Sequence, residues 1–407
     1  MDASEILRLY DLACEKAARN SRKIGSELRE FPASETGDYF SQNRASLRGI
    51  EHIFGWTQSF FTGMALLAGA HTGNFSLIRW CERFYPDYRD KVFKTPENTM
   101  HDLGFLYTLY STMLYKLTGD TAMRTLSIRA AEVLAHRYLP ACRCIRAWGR
   151  MDDLLPGGLE EELKSNNFFT RSKGLAIIDC MMNLPLLFWA SKETHDPFFR
   201  FVACAHADTT LRWFIREDGS VCHAYRFDPD SGEPVGEFND CGYSVGSFWA
   251  RGAAWAVYGF ALAWRYTGFR RYRDAALKIA HAYLDACGDA PIPVWDFRLP
   301  PNQPARYGGY EQSWDKWDIT KMENRIYNVD TSAAAIMSCA ILELDPDDAG
   351  LRNYVNAAVD ALAGYMNTDP DCPGLLAATN GTNTYGCYGD YFAMELLARL
   401  HGEAAPW

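Results

Sequence analysis

The sequence has no excess of basic residues of the kind that binds polyanions. Acidic residues outnumber lysine and arginine by 51 to 41, which gives a formal net charge of -10 at pH 7. Nucleic acids and anionic membranes both select for clustered lysine and arginine, so we expect neither as a partner. An anionic small molecule would need a local cationic pocket instead.

Signals for export and for membrane insertion are also missing. The first residues, MDASEILRLY, carry acidic groups where a secretory signal has basic residues followed by an apolar run. The longest uncharged apolar stretch, from Ala253 to Trp264, is shorter than the roughly 18 residues that a membrane span needs. We therefore expect a cytoplasmic protein that has no membrane partner.

Twelve cysteines and nine histidines form no CxxC pair, no HExxH motif and no Cys/His cluster at ligand spacing. Only Cys142 and Cys144 lie close together in the chain. In a cytosolic chain of this size such cysteines are most simply reduced core residues. The sequence thus predicts no disulfide framework, no metal site and no cofactor.

The chain does contain a repeat of apolar helical runs, which is the signature of a repetitive architecture. These runs are apolar on nearly all sides and must therefore be buried all round. They cover 59–74, 104–120, 176–196, 242–268, 332–347 and 388–402. Most are followed by a short turn and an amphipathic helix, as at 121–139, 196–215, 269–287 and 347–366.

Six buried helices can all be covered when an outer ring of helices surrounds an inner ring. The sequence therefore predicts an (α/α)6 barrel that forms a single domain over residues 1–407, with a helix at about 3–21 completing the outer ring. The competing interpretation is an open helical solenoid, although the repeats are unequal in length. Long polar connections precede the inner helices, and we expect them to build a site at one end of the barrel.

The stretch from Gly242 to Gly268, GYSVGSFWARGAAWAVYGFALAWRYTG, is the most informative of the inner runs. Either Ser244 or Ser247 would cap its helix. Arg251 lies near the N-terminal end, where unpaired backbone N–H groups attract anions. Trp255 follows four residues later and shares a helix face with that cation. The pattern predicts an anion-binding mouth with an aromatic ring beside it.

Two aspartates precede inner helices and would meet Arg251 at this mouth. Asp102 lies in MHDLGF, and Asp179 lies between isoleucines and methionines in IIDCMMNL. Apolar surroundings raise the pKa of a carboxyl group and keep it protonated near neutrality. Two carboxyl groups, one of them protonated, are typical of glycosidic bond chemistry. Each aspartate has a structural alternative: Asp102 as an N-cap, and Asp179 as a cap of the helix that Pro185 interrupts.

Three further features belong to the predicted mouth. Trp56, in FGWTQSFF, precedes the first inner helix and with Trp255 would form a sugar-stacking surface, although single tryptophans are often core residues. His223, in VCHAY, adds a hydrogen-bonding group on a long loop, where β-prone residues predict a small hairpin around 222–227. The charged segment 151–173 is expected to be an insertion at the rim.

The motifs HDLGF, IIDCMMNLPLLFWAS, GYSxxSxWARGxAWxxYGFALAWRYTG, VWDF and DTSAAAI occur in this order. In that order they closely resemble the unsaturated glucuronyl hydrolases, glycoside hydrolase family 88, from about residue 50 onward. The resemblance implies an (α/α)6 barrel that removes a 4,5-unsaturated uronic acid from the non-reducing end of lyase-generated oligosaccharides. In that chemistry an aspartic acid protonates the C4=C5 vinyl ether and water adds at C5, and the resulting hemiketal opens and releases the rest of the sugar.

The resemblance also implies roles for individual residues. Asp179 would be the general acid and base, and Asp102 the second aspartate that orients the ring and assists. The residues expected to line the uronate pocket are Trp56, His223, Arg251 and Trp255. The expected partner is an anionic unsaturated oligosaccharide of the glycosaminoglycan type, and the sequence leaves open whether the protein is a monomer or a homodimer.

The sequence departs from the family at two motifs. Where relatives usually have HQGY and RGQAW, it has DCGY at 240–243 and RGAAW at 251–255. Cys241, at the substrate-binding position of the glutamine, cannot supply both the donor and the acceptor of an amide. Two alternatives therefore stay open: an unsaturated rhamnogalacturonyl hydrolase acting on pectin fragments, and a catalytically silent sugar-binding relative. The YGFALAWRYTG continuation favours the glucuronyl branch.

Overall fold

The computed structural model describes residues 1–24, 39, 55–153, 172–298, 328–344, 347–379 and 385–407. Within these residues, apolar helices alternate with amphipathic ones. The inner helices are Gln58–Thr72, Leu103–Tyr107 continued by the π-helical turn Thr108–Thr112 and Met113–Thr118, Leu184–Thr194, Ala250–Thr267, Thr331–Leu344 and Cys387–Leu400. The outer helices are Ala3–Lys23, Phe75–Glu82 with Tyr85–Phe93, Thr121–Ala135, Pro197–Trp213, Arg270–Cys287 and Ala349–Ala363.

The inner helices form a closed ring. Each packs against the next one along the chain, and the last, Cys387–Leu400, packs against the first, Gln58–Thr72. The N-terminal outer helix Ala3–Lys23 lies against both of them. This closure confirms the predicted (α/α)6 barrel, and it excludes the open solenoid, whose terminal repeats do not meet.

Burial separates the two layers as the sequence pattern requires. In the inner helix Ala250–Thr267, every residue from Ala250 to Ala263 is buried. The outer helix Arg270–Cys287 instead buries a stripe at helical spacing, which consists of Tyr272, Ala275, Ala276, Ile279, Ala280 and Tyr283. The ring of inner helices is therefore the core of the barrel.

One helix start differs from its prediction. The run predicted from 242 becomes helical only at Ala250, and its N-cap is Trp249, so neither predicted serine caps it. Asp296, in the VWDF motif, is the reason. Its buried carboxylate accepts the backbone N–H groups of Tyr243 at 2.8 Å and Phe248 at 3.1 Å, which holds this segment as a loop.

The run predicted as one helix over 176–196 is also divided. Strand Leu175–Ile177 and the 3-10 turn Ile178–Met182 precede helix Leu184–Thr194. A proline is favoured in the first helical turn, where its missing N–H costs nothing, so the helix starts beside Pro185. On its other side the turn packs against Gly259, where a Cβ atom would lie 2.7 Å from the carbonyl carbon of Met181.

A small three-stranded sheet leads into the 3-10 turn Ile178–Met182. Strand Leu175–Ile177 pairs antiparallel with Ala224–Phe227, which in turn pairs with Pro234–Phe238. The predicted hairpin around 222–227 is therefore confirmed. The remaining short elements are the strand pair Tyr138–Leu139 and Cys144–Ile145 and the 3-10 turn Pro96–Asn98.

Residues 154–171 of the expected rim insertion lie outside the described residues. Among the helices of the described ranges, none combines the length and the apolar character that crossing a bilayer would demand.

Candidate active site

The N-terminal ends of the inner helices meet at one mouth of the barrel. Each of the six contributes a polar or aromatic side chain at its start or in the few residues before it. They are Trp56, Asp102, Asp179, Arg251, Asp330 and Tyr388.

Asp179 lies in the 3-10 turn before the third inner helix, and its side chain is 18% exposed. Its Oδ2 atom is buried and accepts no hydrogen bond from the residues that the structure describes. His223 Nε2 faces that oxygen at 4.0 Å, which is too far for a hydrogen bond. Burial raises the pKa of Asp179 to about 6, with Arg251 opposing and Asp240 reinforcing the rise. This agrees with the raised pKa expected from its apolar neighbours.

His223 is held in one tautomer. Its Nδ1 atom accepts the backbone N–H of Asp240 at 3.0 Å, so in the neutral ring the proton sits on Nε2. The ring also packs edge-on against Trp249, with centroids 5.3 Å apart and an interplanar angle of 80°. His223 therefore presents an N–H group toward Asp179, ready to stabilise that carboxylate when it loses its proton.

Arg251 is a fixed cation in this mouth. It donates to Asp330 Oδ2 at 2.6 Å, and its guanidinium carbon lies 4.7 Å from the centre of the Trp249 ring and 5.1 Å from that of the Tyr388 ring. Burial opposes its charge, but Tyr388 and Asp330 raise the pKa of Arg251 above its ordinary value. Asp330 is itself fixed because it accepts the N–H of Ala333 at 3.2 Å.

Trp56 and Trp255 lie at different depths. Trp56 is partly exposed and contacts Tyr388, with ring centroids 4.9 Å apart, so it belongs to the group around Arg251. Trp255 is fully buried between Phe105 at 5.3 Å and Phe392 at 5.2 Å, in the barrel core below the mouth. The structure therefore does not bring Trp255 onto a shared exposed surface with Trp56.

Asp102 occupies the N-cap position of Leu103–Tyr107, yet its carboxylate makes no capping hydrogen bond. Asp102 is therefore the N-cap residue by position, as the structural alternative has it, but its carboxylate does not cap the helix. His101 Nε2 lies 3.6 Å from Asp102 Oδ1, and burial, together with the charge of Arg137, lowers the pKa of His101 well below its ordinary value. A neutral imidazole thus neighbours a carboxylate that is 15% exposed.

Asn183 performs the capping that Asp102 does not, and no feature of the sequence pattern indicates this. Its Oδ1 atom accepts the backbone N–H of Phe105 at 2.8 Å, and its Nδ2 atom donates to the carbonyl of Asp179 at 3.2 Å. Gly104 allows this contact, because a Cβ atom there would overlap the Asn183 backbone. The buried side-chain amide of Asn183 therefore connects the turn that carries Asp179 to the helix that follows Asp102.

Cys241 is brought to the same site. It is partly exposed, its Sγ atom lies 4.0 Å from Asp240 Oδ2, and it is close enough to Arg251 to affect the pKa of that guanidinium. Among the sequence-predicted site residues, the structure thus gathers all except Trp255 around the mouth. Asn183, Trp249, Asp330 and Tyr388 are additions that only the three-dimensional arrangement reveals.

Sequence comparison relates the chain to characterised hydrolases. The model of Glycosyl Hydrolase Family 88 matches residues 33–286. The chain is 31% identical to the unsaturated glucuronyl hydrolase of Bacillus sp. (strain GL1), over 96% of this chain and 95% of that protein. It is 30% identical to the unsaturated chondroitin disaccharide hydrolase of Streptococcus pyogenes serotype M1, over 100% of this chain and 94% of that protein.

Structural comparison leads to the same group. The crystal structure of the Bacillus sp. GL1 unsaturated glucuronyl hydrolase superposes with a TM-score of 0.77 at 29% identity, covering 98% of this chain and 97% of that one. The unsaturated glucuronyl hydrolase of Streptococcus agalactiae gives a TM-score of 0.79 at 25% identity, covering 100% of this chain and 94% of that one.

Proposed function

Because this chain belongs to glycoside hydrolase family 88, we propose that its barrel mouth removes a 4,5-unsaturated glucuronic acid from the non-reducing end of lyase-generated oligosaccharides. The observation that carries this proposal is the Asp179 carboxyl. It is mostly buried, its pKa is raised to about 6, and it lies beside a cation suited to a uronate. Protonating an alkene requires an acid that keeps its proton at working pH.

The reaction begins with proton transfer from Asp179 to C4 of the vinyl ether, which leaves an oxocarbenium-like centre at C5. The Asp179 carboxylate then accepts a proton from water as the water oxygen bonds to C5. The C5 hemiketal opens by breaking the bond to the ring oxygen, and the hemiacetal left at C1 releases the remaining sugar. Asp179, one water molecule and the substrate supply every proton and bond that these steps need.

His223 supports the second step. After Asp179 has given up its proton, its carboxylate is charged in a poorly solvated place, which is costly without a hydrogen bond. The Nε2–H group of His223, 4.0 Å from Oδ2, can close to hydrogen-bond distance and stabilise that charge. Asp102, which is 15% exposed at the start of the second inner helix, would orient the ring by accepting a hydrogen bond from a sugar hydroxyl.

Arg251 binds the uronate carboxylate. A guanidinium presents several N–H donors in one plane, and the bond to Asp330 fixes that plane. The rings of Trp249 and Tyr388, over which the guanidinium lies, shield it from water, which strengthens the electrostatic attraction. Trp56 adds an apolar ring next to Tyr388 against which a sugar face can stack.

Glycosaminoglycan disaccharides are the substrates that fit best. Two relatives of this chain, from Streptococcus pyogenes and Streptococcus pneumoniae, are unsaturated chondroitin disaccharide hydrolases, which supports this substrate class over pectin fragments. Both aspartates and the arginine are present, which favours a working enzyme over a silent sugar-binding relative.

The proposal is tested with purified protein and a panel of unsaturated chondroitin and heparin disaccharides that differ in sulfation. Hydrolysis destroys the conjugated double bond, so its ultraviolet absorbance should fall. A saturated disaccharide of the same composition serves as the control and should be left intact. If no member of the unsaturated panel loses absorbance, the proposal fails.

A further inference from the structure

At the end of the barrel opposite the mouth, three side chains bring metal-ligating atoms together. His71 lies in the last turn of the first inner helix, and His401 and Glu403 directly follow the last inner helix. One ligand atom from each lies within 4.8 Å of the other two. Two imidazole nitrogens and a carboxylate oxygen are the ligand set that Zn²⁺ accepts when it keeps one position open.

The groups behind these ligands are arranged as they are around metal centres. Within the ligand set, His71 Nδ1 lies 2.7 Å from Glu403 Oε1, a direct contact that an entering ion would replace. The other ring nitrogen of His71, Nε2, lies 3.1 Å from Asp11 Oδ1, outside the ligand set. The Tyr10 hydroxyl donates to the second oxygen of Glu403 at 2.8 Å. Metal-bound histidines usually donate their remaining N–H to a carboxylate, and metal-bound carboxylates are themselves hydrogen-bonded. Both patterns are present here.

The local backbone also holds the ligands in place. The N–H of Glu403 donates to the carbonyl of Ala398 at 2.9 Å, which turns the chain back toward His71 after the last inner helix. The ring of His401 lies 5.4 Å from the ring of His71 in an edge-on arrangement. His71 is only 12% exposed, whereas His401 lies at the surface. An ion can therefore enter from solvent at His401 and meet the less exposed His71.

We propose that His71, His401 and Glu403 bind one divalent transition-metal ion of the Zn²⁺ class, with water in the open position. The ion connects the ends of the first and last inner helices and, through Asp11 and Tyr10, the outer helix Ala3–Lys23. It stabilises the contact between the first and last inner helices, where the ring closes, and it takes no part in catalysis at the mouth. The sequence predicts no metal site because these ligands come from opposite ends of the chain.

The test is calorimetric titration of ZnCl₂ into the chelator-treated full chain. One site per chain is expected, and its Kd should rise at least about tenfold in His401→Gln and in His71→Gln. His281→Gln is the matched control, since His281 Nε2 also faces a carboxylate, Asp348 Oδ2, at 3.2 Å but belongs to no described metal-ligand cluster. The control should bind as the unchanged protein does.

Two further measurements separate this site from binding to the cysteines. Asp11→Asn, which removes only the outer carboxylate, should weaken Zn²⁺ binding by about tenfold. Co²⁺ bound to the unchanged protein should give visible bands without the sulfur-to-cobalt absorption that thiolate ligands produce. Absence of Zn²⁺ binding, sulfur ligation of Co²⁺, or binding that survives in both histidine variants would each overturn the proposal. Hydrolytic activity is expected to be unchanged in His401→Gln, so this result is independent of the proposed function.

Discussion

Two carboxyl groups at opposite ends of the barrel, those of Glu395 and Asp179, differ in the hydrogen bonds that they accept. Glu395, near the C-terminal end of the last inner helix, accepts hydrogen bonds from Tyr258, from Arg399 at 3.0 Å and from Trp407 at 2.8 Å. Asp179 at the mouth has one oxygen that accepts no hydrogen bond from the described residues. A buried polar group with all its partners stabilises the fold, whereas one held without them costs stability and keeps reactivity. The end of the barrel near Glu395 is therefore built for stability, and the mouth is built for chemistry.

The largest effect is expected from Asp179→Asn. An amide cannot protonate the alkene, so activity should fall by about a thousandfold or more. Stability should not fall with it. The folded pKa of about 6 lies above the ordinary 3.8, so ionisation at neutral pH destabilises the native state by up to about 3 kcal/mol, a cost that is absent at low pH. Denaturant unfolding at neutral pH should show equal or higher stability, and a clear loss would contradict the assignment.

The opposite outcome is expected from Glu395→Gln. Removing the charge leaves Arg399 with one fewer anionic partner in a buried place, and such losses cost about 3 kcal/mol. The fraction that stays folded should hydrolyse substrate at the normal rate, because the network lies far from the mouth. Denaturant unfolding combined with the absorbance assay measures both quantities. A large fall in kcat without loss of stability would contradict the purely structural role assigned to Glu395.

Asn183→Ala should affect catalysis more than folding. Loss of its two hydrogen bonds frees the turn carrying Asp179 from the helix behind Asp102, and small misplacements of a catalytic group cost about ten- to a hundredfold in rate. We expect kcat to fall by this factor and KM to change little. Asn74→Ala is the control, because Asn74 caps an outer helix through Ser76 at 3.1 Å. Equal effects of both variants on kcat would show that Asn183 is only structural.

The pH profile provides a smaller and more specific test. Because the acid must be protonated, kcat/KM should fall about tenfold per pH unit above a pKa near 6. Asp240→Asn removes a charge that helps to raise the pKa of Asp179, so the alkaline limb should move to lower pH. The backbone N–H that holds His223 is retained in this variant. A limb that stays in place would exclude Asp179 as the titrating group.

The smallest effect is expected at Cys241. Replacing it by glutamine restores an amide donor and acceptor close to Arg251, and one added hydrogen bond is worth about 1 kcal/mol. KM for an unsaturated disaccharide should therefore fall by about fivefold while kcat stays constant. Cys241→Ala, which adds neither group, is the matched comparison and should leave KM near its original value. A lower KM in both variants would mean that removing the thiol matters more than adding the amide.

The sequence was sufficient for the ring of helices and for the residues that precede them. Apolar runs must be buried, and Asp102, Asp179 and Arg251 reach one mouth because each lies at the N-terminal end of such a run. The sequence could not show that Asp330 pairs with Arg251, since that contact depends on how the ring closes. Nor could helical spacing decide that Trp255 lies one turn too deep to reach the surface.

The turn that carries Asp179 is touched by backbone on two sides, at Gly104 and at Gly259. A side chain at either position would push the turn, and with it Asp179, away from its present position. Neither glycine can therefore be substituted without displacing the acid. Altered substrate preference is therefore expected to arise from substitutions in the loop that holds Asp240 and Cys241. Libraries that randomise this loop and keep both glycines should yield more active variants than libraries that randomise the helix faces.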